Sequence, residues 1–107
     1  MATDATDGYR VIPMRLFTEK VRLLGERAIQ SGYFQRFRET LLSVQNRLQE
    51  NPAAWGEPRY RLHQLSVTIY HQIHDFIHFD YAVDETNRIV WVRDLQPLSN
   101  HPLAMDL

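Results

Sequence analysis

The 107-residue chain has no cysteine. That excludes a disulfide scaffold, a thiolate metal site and a thiol nucleophile, and it fits a reducing, cytoplasmic setting. No apolar run approaches the roughly 18 residues of a membrane span. The opening MATDATDGY lacks the basic and apolar regions of a secretory signal. A surplus of one charge is missing too: 12 Lys+Arg stand against 13 Asp+Glu, a formal net charge of −1. Nucleic-acid binders usually carry a strong basic excess, so any phosphate-binding footprint must be local.

What is present is ordinary globular composition, 44% hydrophobic and 23% charged, sized for one domain. Such a chain buries roughly two-thirds of its unfolded surface, so it folds without a metal or disulfide, and nothing in it calls for a cofactor. Charge is uneven along it. Residues 9–61 carry ten basic and five acidic side chains, and residues 62–107 carry two basic, six acidic and all five histidines.

Residues 1–8 read as a polar tail. Tyr9 to Ile12 is a short strand stopped by Pro13. Phe17, Val21, Leu24 and Ala28 then form one face of a helix that stops at Ser31-Gly32. Phe34, Phe37, Leu41, Val44 and Leu48 mark a second helix, closed by Asn51-Pro52 and followed by the loop Trp55-Gly56-Glu57-Pro58. The short link between the two helices predicts an antiparallel hairpin.

From Tyr60 onward the period is two. Leu65, Val67 and Ile69 form one apolar set, Ile77, Phe79, Tyr81 and Val83 another, and Ile89 to Arg93 a last strand. Pairing apolar sets on a shared face places Ile69 opposite Tyr81 and Val67 opposite Val83, with a three-residue turn at His74-Asp75-Phe76. A two-residue turn at Thr86-Asn87 places Val83 opposite Val90, Tyr81 opposite Val92 and Asp80 opposite Arg93. The expected core is Phe17, Val21, Leu24, Phe34, Phe37, Leu41, Val44, Leu48, Val67, Ile69, Phe79, Tyr81, Val83, Val90 and Val92. The opposite, open face would carry Tyr70, Gln72, His78, Asp80, Trp91 and Arg93.

The order strand, helix, helix, three strands resembles the RelE/ParE toxin superfamily of type II toxin–antitoxin systems. The likeness rests on YRVIP, the helix pair, RLQENPAAWGEPRYRL and FDYAVDETNRIVWV, and spans residues 9–98, leaving 99–107 as a tail. It implies an α+β fold, β-α-α-β-β-β, with a four-stranded antiparallel sheet packed on a two-helix hairpin. RelE-like members cleave mRNA in the ribosomal A site, using basic and aromatic residues on the open sheet face. ParE-like members instead inhibit DNA gyrase, and a cognate antitoxin wraps and neutralises either kind. Arg59 and Arg61 match the basic residues expected at the second strand, and Arg93 matches the one on the last. A terminal Tyr or His usual in the nucleases has its only counterpart in His101. The sequence pI near 6.5 departs from the strongly basic pattern.

RNA cleavage by 2′-hydroxyl attack needs a base, an acid and a cation on the phosphorane. His78, Asp80 and Arg93 supply those types, with Arg61 as a further cation, Trp91 or Tyr70 to stack a base and Arg59 to hold phosphate. The plainer alternative makes Asp80 and Arg93 a cross-strand ion pair and Trp91 a side chain covered by the C-terminal segment. His71, His74 and His78 have helical spacing, but on strands His71 and His74 point to opposite faces, so no metal site is expected. The basic helices read as a solvated face or as a landing surface for an acidic antitoxin. Two functions follow: a translation-inhibiting mRNA endonuclease, or a non-catalytic toxin relative that acts by binding protein.

Overall fold

The structure is a computed structural model that describes residues 8–104. The expected tail at residues 1–8 therefore lies, apart from Gly8, outside the described residues, as do the last three positions of the C-terminal tail. The elements run β1 (Arg10–Pro13), α1 (Arg15–Ser31), α2 (Phe34–Glu50), α3 (Pro52–Trp55), β2 (Glu57–Leu62), a 3₁₀ turn (His63–Leu65), β3 (Val67–His74), β4 (Ile77–Asp84) and β5 (Ile89–Pro97).

Both long helices follow their apolar stripes. Leu24 and Ala28 of α1 and Phe37, Val44 and Leu48 of α2 are buried, while Phe17, Val21 and Leu41 are partly so. Gly32 ends α1 in the left-handed region at φ 76°, where glycine pays no Cβ penalty. The next amide, of Tyr33, donates to Ala28 O at 2.8 Å. Phe34 was expected in the core but is 43% exposed and lines an open hollow between the two helices with Ile29 and Leu41.

The sheet has five strands in the order β1-β5-β4-β3-β2, not the four expected. The extra strand is Glu57–Leu62, read in part as a loop. It pairs antiparallel with β3 through a bulge at Arg59, at an edge position where Pro58 and charged residues are tolerated. Nor is the sheet wholly antiparallel: β1 runs parallel to β5, Val11 opposite Val90, and the helices and three strands between them give the long connection a parallel pair needs.

The β3–β4 register differs by one residue from expectation. The turn has two residues, Asp75 and Phe76, at φ 52° and 62°, the signs of the favoured hairpin turn. Tyr70 is therefore opposite Tyr81, and Ile69 opposite Ala82. A one-residue slip exchanges the two faces of a strand. Tyr70 turns to the helices with Ile77, Phe79, Tyr81 and Val83, while Val67 and Ile69 join Ala82 on the other side. The β4–β5 pairing matches expectation from Asp84 to Tyr81, with Tyr81 opposite Val92. It then bulges so that Asp80 faces Asp94. Arg93 is the additional residue, so its predicted Cα pairing with Asp80 does not form.

The described part of the C-terminal segment, residues 99–104, packs into the helix-side core. Leu103 is fully buried, and the His101 ring meets Tyr33 edge-on at 5.3 Å. None of its described residues lines the hollow around Trp91.

Candidate functional site

The face of the sheet away from the helices divides into an apolar half and a polar half. Trp91 of β5 packs on Val67, Ile69 and Ala82. Around them Met14, Tyr60, Leu62 and Leu65 line an open hollow of about 470 Å³. Leu65 is 65% exposed, Tyr60 49% and Met14 45%. Two charged residues, Asp84 and Arg93, touch the hollow, and both are engaged. Asp84 accepts from the Asn87 side chain at 2.8 Å, and Arg93 Nε stands 3.4 Å from Asp80 Oδ1. A contiguous apolar patch of this kind on a folded surface marks a contact site.

Next to the hollow lie the polar residues. The bulge on β5 turns Arg93 and Asp94 toward Asp80, a common use of such irregularities. The Tyr60 hydroxyl accepts from the Arg93 guanidinium and is the main reason its pKa is raised, with Asp80 and Asp94 adding to it. His78 is held below the usual histidine range, first by burial and then by His71, with Arg59 adding and Asp80 and Asp94 opposing. It is therefore neutral at pH 7 and competent as an acceptor. His71 Nδ1 lies 3.2 Å from His78 Nε2.

The structure brings together His78, Asp80, Arg93 and Trp91 of the predicted site, with Arg59 within electrostatic reach of His78. It separates Tyr70 and Arg61 from them. Tyr70 is buried on the helix side and stacks on Tyr81 at 5.5 Å. Arg61 shares that side and donates to Thr68 Oγ1 at 3.3 Å. The Tyr70 displacement follows from the two-residue turn, and Arg61 takes its side from pairing with Thr68 of β3. Gln72, also expected on the open face, donates instead to the Trp55 carbonyl. His101 is buried among the helices at 4% exposure and is no counterpart of a terminal catalytic residue.

Sequence reasoning missed Tyr60 and His71. With the turn at Asp75-Phe76, His71 becomes the diagonal neighbour of His78, and Tyr60 reaches the same surface as the partner of Ile69. On the helices, Arg15 pairs with Glu19 and Arg22 with Glu26 at one-turn spacing, the pattern of a solvated face. Among the described residues no helix is long and apolar enough to cross a membrane.

No family model matches the chain, and no curated protein does. Among solved structures it is similar to a chain of the archaeal RelE-RelB complex from Pyrococcus horikoshii OT3. The TM-score is 0.59 at 15% identity, over 86% of this chain and 97% of that one. At that identity the likeness is one of fold.

Proposed function

We propose that the chain is the toxin-like member of a type II toxin–antitoxin pair and that it works by binding protein through the open face of its sheet. The observation that carries this reading is the apolar hollow between Trp91, Leu62 and Leu65, whose one cation, Arg93, is already paired. An RNA groove needs unpaired cations along the phosphates and exposed rings to stack bases. An apolar hollow instead accepts the buried anchor side chains that dominate protein contacts. The fold shared with a chain of a RelE-RelB complex supports a cognate antitoxin as one partner.

The second reading, ribosome-dependent mRNA cleavage, is favoured by the meeting of His78, Asp80 and Arg93 on this face. ParE-like gyrase inhibition is one form that protein binding would take. The discriminating experiment is induced expression with growth and mRNA-integrity readouts, with and without the neighbouring open reading frame. Protein binding predicts growth arrest with intact mRNA, lost in Leu65→Glu without loss of fold. Cleaved mRNA would overturn it in favour of the nuclease.

A further inference from the structure

His71 on β3 and His78 on β4 play no part in the apolar contact proposed above. They are diagonal neighbours, since His71 is opposite Asp80 and His78 is opposite Ile73. Their ring centroids are 5.3 Å apart, and Nδ1 of His71 stands 3.2 Å from Nε2 of His78. Two nitrogens bound to one tetrahedral zinc at about 2.0–2.1 Å lie roughly 3.3 Å from each other. The two strands already hold the rings at the bite of a chelate.

We propose that His71 Nδ1 and His78 Nε2 form a two-histidine site for a divalent transition ion, of the zinc, nickel or copper class. Imidazole ligands suit these ions, whereas calcium and magnesium take oxygen. Three carboxylates lie around the pair. Glu57 Oε1 lies 3.8 Å from the other nitrogen of His71, Nε2. Ligation through Nδ1 leaves the His71 ring proton on Nε2, on the side of that exposed carboxylate. Asp80, opposite His71, brings a buried Oδ1 that accepts no hydrogen bond but stands 3.4 Å from Arg93 Nε, and Asp94, paired with Lys20 at 2.8 Å, adds a second carboxylate near His78. Arg59, Arg93 and Lys20 are the opposing cations near the site.

Among the described residues no group of three or more His, Asp or Glu side chains is placed to hold a metal. The chain therefore supplies two ligands, and water completes the coordination. Without the ion, one imidazole N–H donates to the other ring. The ion takes the place of that shared proton and ties β3 to β4.

The test is a zinc titration of the full chain, followed by ring-nitrogen NMR and by thermal melting. The expected result is that one equivalent of Zn²⁺ shifts the His71 and His78 ring signals together, leaves those of His63 and His101 unmoved, and raises the melting midpoint. His71→Ala and His78→Ala each weaken zinc uptake at least tenfold. His63→Ala keeps it, and Ca²⁺ has no effect. Melting of each variant without metal checks its fold, and His78→Gln serves if the alanine variant unfolds. Uptake retained in either His71 or His78 variant would overturn the proposal. So would shifts spread over all five histidines, or ring signals unmoved by excess zinc, which leaves the pair a hydrogen bond only. None of these results bears on the growth assay, so failure here and failure of the partner-binding reading are separable.

Discussion

The turn at Asp75-Phe76 decides which side chains reach the open face, and it can be tested without reference to function. Phe76 holds φ at 62°, a conformation that costs a residue with a Cβ about 1–2 kcal/mol. Its ring is 57% exposed, so replacing it also removes some burial. Comparing Phe76→Gly with Phe76→Ala cancels that loss, because both remove the ring. At an ordinary negative φ, alanine is the more stabilising of the two by about 0.4–1 kcal/mol, through the unfolded chain. At φ 62° the strain term outweighs this, and Phe76→Gly should exceed Phe76→Ala by roughly 0.5–1 kcal/mol. In a domain of this size that is a midpoint difference of about 2–8 °C, measurable by thermal and urea unfolding monitored by circular dichroism. Asp75 at φ 52° should show less strain, since aspartate tolerates this region better than most residues. An alanine variant as stable as the glycine variant would refute the turn. The register that places Val67 and Ile69 beside Trp91 would fall with it.

Tyr81→Phe should destabilise by about 1–3 kcal/mol, because the Tyr81 hydroxyl donates to the buried Pro52 carbonyl at 2.7 Å and its loss leaves that oxygen unpaired; urea unfolding checks it, and a neutral substitution would refute the contact. His101 is pushed below the ordinary histidine pKa by burial, with Asp75 opposing. The unfolded chain then binds the proton more readily, so stability should be full above about pH 6.5 and fall as pH drops below it. His101→Leu should flatten that part of a stability–pH curve. Arg93→Ala should cost about 1–3 kcal/mol, because it leaves the largely buried Asp80 carboxylate, 19% exposed, without its cation; an unchanged urea midpoint would show the pair to be solvated.

The helices were legible because each buries one stripe against one surface, so the spacing of Leu24, Ala28, Phe37, Val44 and Leu48 reports position directly. In the strands, alternation reports two faces but not which face is inward. On β3 both are apolar, with Val67 and Ile69 on one side and Tyr70 on the other. Matching apolar to apolar therefore selected the wrong pairing. The deciding information was in the turn, where neither Asp75 nor Phe76 is the glycine that would have announced a two-residue loop. Strand β2 was partly hidden for a related reason. An edge strand with all six residues exposed has no inward face to write a pattern.

The site residues on β4 and β5 were found for a reason that alternation alone does not contain. Continued from Val92, a strict period of two would send Asp94 and Gln96 into the core and leave Leu95 in solvent. The chain instead inserts Arg93 as a bulge, so Leu95 returns to full burial while Arg93 and Asp94 both stay on the outer side with Asp80. Core packing beyond the bulge thus demands the irregularity that gathers charge beside the hollow. The expected Arg93–Asp80 contact survives at 3.4 Å although the predicted Cα pairing does not, because a guanidinium on a long stem reaches across one residue of offset. Shorter side chains have no such tolerance. Tyr70 changed faces with its strand, while His71 came onto the open face, within 3.2 Å of His78.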